Sequence, residues 1–99
     1  MNHALPGADL IEKGLNDFRD GCETIEALLV AIGARRLREA GVDVPQHEWH
    51  LPEHRLYDLL AKDDSDSAHS RYNALIRRLV SYERAAEAAK SLAEAPTAD

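Results

Sequence analysis

Apolar residues recur at three- and four-residue spacing in four separate blocks, and residues that start or stop helices stand between the blocks. That spacing puts a single apolar stripe along a helix, so the chain is constrained to helices packed stripe to stripe. In the first block Leu10, Ile11, Leu15 and Phe18 form the stripe. Pro6 suits a first helical turn, and the helix is predicted to run to about Asp20 and to end at Gly21. Thr24 is the predicted N-cap of a second helix, Ile25 to Ala40, with Gly41 in the left-handed stop position. Arg35, Arg36 and Arg38 fall in its last turns, where cations suit the helix dipole. Pro52 opens a third helix, Glu53 to about Lys62, with Leu56, Leu59 and Leu60 facing inward. "KDDSDS" reads as a turn, with Ser65 or Ser67 capping a long fourth helix from Ala68 to at least Ala89. Tyr72, Leu75, Ile76, Leu79 and Ala86 share one face of it. The segment "VDVPQHEW" is a connector.

Four such helices predict an all-α fold, a four-helix bundle built from two αα-hairpins, each a short helix followed by a longer one. A weak echo at an offset of 46 residues supports the hairpin arrangement, since Leu5-Pro6, Leu10 and Asp17 correspond to Leu51-Pro52, Leu56 and Asp63. The length of 99 residues fits one domain, expected over 1–94, with 95–99 a fraying tail. Composition agrees: 44% of residues are hydrophobic, yet only four are Val and four Ile, which favours helix over strand. The single Cys22 excludes an intramolecular disulfide and a cysteine-rich zinc site, and a small residue of this kind is expected to be buried or half-buried. No stretch approaches the roughly 20 apolar residues of a membrane span. The opening "MNHALPGADL" lacks a basic region followed by an apolar run, so no membrane association and a cytoplasmic location are expected.

The helical period breaks at two charges. Stepping 100° per residue, Arg36 falls near the apolar centre set by Ile25, Leu28, Leu29 and Ile32, and Glu83 near that set by Tyr72, Ile76 and Leu79. A charge facing a core is paired or escapes to solvent. Two readings stay open: the stems snorkel out at one end of the bundle, or Arg36 and Glu83 pair. Helix two has a further apolar flank at Val30, Gly33, Ala34 and Leu37. Either a second copy of the chain covers Val30 and Leu37, making a homodimer or partner surface, or the N-terminal segment or the 42–50 connector does.

Two clusters could carry chemistry. His47, His50 and His54 lie within "QHEWHLPEH", and three imidazoles could hold zinc, copper or nickel with an open position. The spacing straddles a helix start and is not the H-E-x-x-H arrangement, so the segment reads first as a helix entrance with Trp49 anchored on the core and no cofactor. On helix four, Arg71 and Arg78 take one flank of the stripe, and Asn73, Arg77, Ser81 and Arg84 the outward side. Arginine forks favour carboxylate or phosphate. The net charge of −6 argues against nucleic acid as the general partner. No glycine-rich phosphate loop, nucleophile elbow or calcium loop is present in the sequence, and the link between helices two and three is too long for a helix-turn-helix. The leading expectation is a non-enzymatic helical interaction module that self-associates through helix two. A metal-binding or enzymatic domain on the histidine stretch, and a nucleotide or RNA binder on the arginine face, are the alternatives.

Overall fold

The computed structural model describes residues 5–46 and 49–94. Four helices follow one another: α1 (Ala8–Arg19), α2 (Ile25–Glu39), α3 (Pro52–Asp63) and α4 (Ala68–Glu94). No strand occurs among the described residues. The helices pack as expected of a bundle, with α2 at the centre against α1, α3 and α4, and α3 also against α4. At a rise of 1.5 Å per residue α4 is roughly 40 Å long and α2 roughly 22 Å, so α4 cannot be covered by α2 along its whole length.

Local chemistry sets most helix ends. The Thr24 hydroxyl accepts from the Ala27 N–H at 3.1 Å and donates to Asp17 at 2.8 Å, tying the end of α1 to the start of α2. Lys13 completes that corner, 2.6 Å from Asp17 and 3.6 Å from Glu26. The lysine, and then Thr24, hold the Asp17 carboxyl below the ordinary aspartate range. Gly21 and Gly41 adopt φ of 75° and 91°. At each, the next two N–H groups return to carbonyls in the last turn: Gly21 to Phe18 and Cys22 to Asp17, Gly41 to Arg38 and Val42 to Leu37. Both ends thus satisfy orphan carbonyls through one left-handed residue.

Helix entrances depart from expectation. Pro6 precedes α1 rather than opening it, and left-handed Gly7 is the N-cap. Pro52 does open α3, but its N-cap is Leu51 at φ 50° with no side-chain cap, a conformation that costs a residue with a Cβ roughly 1–2 kcal/mol. Before α4, Ser67 donates its hydroxyl to Asp64 at 2.9 Å, and the same carboxylate accepts from the Asp66 N–H at 3.1 Å. The aspartate therefore organises this turn. The two Leu-Pro entrances are built differently.

The core is one cluster containing Ile11, Phe18, Leu28, Leu29, Val30, Leu37, Leu56 and Leu60, all without exposed surface. This corrects the expectation for helix two. Val30 and Leu37 present no outer flank, because the chain covers them itself. Gly14 brings α1 so close that a Cβ there would stand 2.6 Å from Val30 Cγ2. At the other end the connector folds back. Arg38 donates to the Val44 carbonyl at 3.3 Å and the Pro45 carbonyl at 2.7 Å, and Val44 is buried. A helix apolar over so wide an arc is here the central one. Cys22 is a second correction. It follows the Gly21 turn and is exposed.

Candidate functional site

The two charges that break the helical period meet at the α2–α4 contact. Glu83 is 2% exposed and lies over Gly33, where a Cβ would approach its Oε2 to 2.6 Å. Gly33 is what leaves room for a carboxylate between the two helices. Arg36 reaches it from the rim, Nη1 to Oε1 at 3.6 Å, and donates from Nη2 to Glu87 Oε1 at 3.0 Å. The guanidinium side chain is itself 47% exposed, so the pair combines burial at one end with escape at the other. Burial pushes the Glu83 carboxyl above the ordinary glutamate range; Arg36 draws it back, and Glu87 adds a smaller upward push. The buried Tyr82 hydroxyl beside it is also held above its usual range, by burial first and Glu12 second.

The histidine segment is placed only in part. His47 lies outside the described residues, whereas His50 and His54 are exposed. No cluster of three metal-ligating side chains occurs among the described residues. Trp49 packs edge-on against Phe18, with ring centroids 5.1 Å apart and planes at 88°, which anchors the connector to the end of α1. The His69 ring lies 3.2 Å from the Asn73 amide one turn on and is otherwise on the surface.

The arginine face divides. Arg77 and Arg84 are exposed and make no ion pair among the described residues. Arg71 and Arg78 are brought together by the geometry of α4. With Ala74 and Leu75 they stand at i, i+3, i+4 and i+7, one stripe of a helix. That stripe forms one wall of a cleft of about 330 Å³, completed by Leu10 of α1 and by Ile25 and Glu26 at the start of α2. The α1 entrance meets α4 beside Arg78, where a Cβ on Gly7 would stand 3.3 Å from the Arg78 carbonyl oxygen. Leu10, Ile25 and Leu75 are all half-buried and make an apolar floor. Glu26, the one acid lining the cleft, lies 3.6 Å from Lys13, which it shares with Asp17.

Each arginine is held from outside the cleft. Arg71 Nη1 lies 2.7 Å from Asp63 Oδ2 at the end of α3, and Arg78 Nη2 lies 3.7 Å from Asp9 Oδ1 at the start of α1. Two helical turns separate them, about 10 Å along the axis. The site is thus an apolar floor between two guanidinium posts. The Arg71–Leu75–Arg78 spacing is present in the sequence. Leu10 and Ile25 join it from two other helices, α1 and α2, a juxtaposition that no local pattern encodes.

No protein-family model matches the chain, and neither a curated protein nor a solved structure is significantly similar to it. No helix among the described residues is long and apolar enough to cross a membrane. Fold and site therefore define a class only: an all-helical domain with an arginine-posted apolar cleft.

Proposed function

We propose that the chain is a non-enzymatic interaction module whose α1–α4 cleft receives an acidic amphipathic helix of a partner protein. The observation that carries this reading is the order Arg71, Ala74–Leu75, Arg78 along one wall of the cleft. A partner helix with carboxylates at i and i+7 and apolar residues at i+3 and i+4 repeats the same spacing with opposite charge. Helix-in-groove recognition uses such anchors, and arginine pairs carboxylates through two parallel donors. Burying the apolar floor supplies affinity, and the two posts supply register. Acidic protein suits these posts better than nucleic acid does, because a net charge of −6 repels a polyphosphate beyond the cleft itself. Self-association through helix two has no free surface at Val30 and Leu37 in this chain.

A photo-crosslinking residue at the exposed Ala74 tests this in the source cell. The expected product joins Ala74 to an acidic, leucine-bearing segment of another protein, and is lost on Arg71→Glu with Arg78→Glu while the helical signal of the domain is unchanged. Capture of nucleic acid, or capture insensitive to the double reversal, would overturn the reading. Crosslinks confined to this chain would replace the partner protein with a second copy.

A further inference from the structure

A second hollow, built differently, lies on the α3–α4 side of the bundle. Glu53, His54 and Tyr57 of α3 and Tyr72 of α4 line a cavity of about 260 Å³ with mainly apolar walls. The two tyrosine rings stand 5.9 Å apart, centroid to centroid, with planes at 55°. They form an open V and not a flat stack. Tyr57 remains 38% exposed, one of only three large apolar side chains left so among the described residues. Glu53 sits one helical turn before Tyr57 and so on the same face of α3. Its charge reaches the second ring as well, adding to burial in holding the Tyr72 hydroxyl above its usual range. Among the described residues Glu53 has no cationic partner.

Two tyrosine rings and a carboxylate with no cationic partner among the described residues line one apolar hollow, and an organic cation matches that set. Ring faces are electronegative and attract a cation within about 6 Å of the centroid. The V shape discriminates among cations. A guanidinium stacks flat and forks onto a carboxylate, which a pair of rings at 55° does not favour. A bare ammonium is strongly hydrated and gains little from apolar walls. A methylated ammonium is round, weakly hydrated and apolar at its surface, so it satisfies both rings and the carboxylate together. We propose that the Tyr57–Tyr72–Glu53 hollow is a binding site for a methylated ammonium group, whether a free small cation or the methylated lysine of a partner. It is independent of the arginine cleft.

The test is a proton NMR titration at about pH 8, above the range in which an ordinary imidazole is charged. The probes are choline, its neutral isostere 3,3-dimethylbutan-1-ol, and a short peptide with and without a trimethylated lysine. Choline is expected to shift the Tyr57 and Tyr72 ring signals saturably, and to bind about tenfold more tightly than the isostere, in line with a desolvated cation–π contact. Tyr57→Phe keeps the ring and should keep binding, whereas Tyr57→Leu should abolish it. The exposed Glu53→Gln leaves the fold intact and should weaken binding severalfold. The methylated peptide binding more tightly than choline would assign the cation to a side chain, and weaker binding would assign it to a free ligand. Equal binding of choline and its isostere, or no saturable shift at either tyrosine into the high millimolar range, would overturn the proposal.

Discussion

Replacing Gly14 by Ala separates tertiary packing from helix propensity, because the two pull in opposite directions. Gly14 is buried in the middle of α1 and faces α2. A Cβ there would stand 2.6 Å from Val30 Cγ2 and 2.9 Å from the Glu26 carbonyl carbon, and closer still to the Glu26 carbonyl oxygen. Two of those three atoms are backbone in the first turns of α2, where Thr24 caps the helix, so they cannot swing aside. The helices must part, and Ile11 and Phe18, which flank Gly14 on the buried face of α1, lose contact with the core. Ala is favoured over Gly by about 1 kcal/mol in an open helix. Overpacking costs about 1–3 kcal/mol, and a backbone obstacle places this site at or above the upper end. The net expectation is a loss of about 2 kcal/mol and a fall in melting temperature of roughly 10 °C for a domain of this size. Thermal and urea unfolding followed by far-ultraviolet circular dichroism would measure it. Adding Val30→Ala should recover only the side-chain part of the loss. An unchanged or raised melting temperature for Gly14→Ala would refute the close α1–α2 approach, since propensity alone would then be acting.

Glu83→Gln should flatten part of the stability–pH profile. The Glu83 carboxyl is raised in the folded chain, so the native state holds that proton to higher pH than the unfolded chain does. Its contribution therefore favours folding at low pH and is lost as pH rises from the ordinary glutamate range, near about 4.3, through the raised native value. Urea midpoints across that window should fall less steeply with pH in the variant, and identical slopes would show that Glu83 titrates normally. Trp49→Ala should cost about 2 kcal/mol, less than the 3–5 of a fully buried aromatic, because the ring is half-buried yet packs edge-on against Phe18. A native emission spectrum as red as that of the urea-unfolded chain would show the ring to be solvated.

What could be read from the sequence follows the range of the interactions involved. Thr24, Gly21 and Gly41 were legible because a cap or a left-handed stop involves only residues a few positions away. The stripes of Leu28 and Leu29, and of Leu56 and Leu60, were legible because the helical period is local. Leu51 was not, since nothing local requires a leucine at φ 50°, and a following proline favours extended backbone instead. Val30 and Leu37 show the limit most clearly. Periodicity reveals that an arc is apolar but not whose surface covers it, and here the cover comes from Gly14 of α1 and from a connector pinned by Arg38. Cys22 misled for a related reason: residue type suggested burial, while its place just after a left-handed glycine put it outside. The arginine spacing at 71 and 78 was visible in one dimension, but the floor between the posts joins Leu10 of α1 and Ile25 of α2 to Leu75 of α4, a long-range property.

The arginines of this domain are committed to different degrees, and that difference bears on the proposal that the cleft binds a partner. Arg36 bridges Glu83 and Glu87, and Arg38 donates to two connector carbonyls. Both hold the fold together: replacing Arg36 would leave the buried Glu83 without its cation, and replacing Arg38 would free the connector carbonyls it binds. Arg71 and Arg78 each meet one exposed carboxylate through a single nitrogen, Asp63 at 70% and Asp9 at 89% side-chain exposure. Such pairs contribute about 0–1 kcal/mol and are weakened by salt. Exchanging them for a partner's carboxylates therefore costs the fold little, while covering Leu10, Ile25 and Leu75 adds apolar burial that the isolated domain lacks. On the proposed reading, Asp63 and Asp9 hold the two guanidinium groups from outside the cleft until a pair of carboxylates on the partner displaces them.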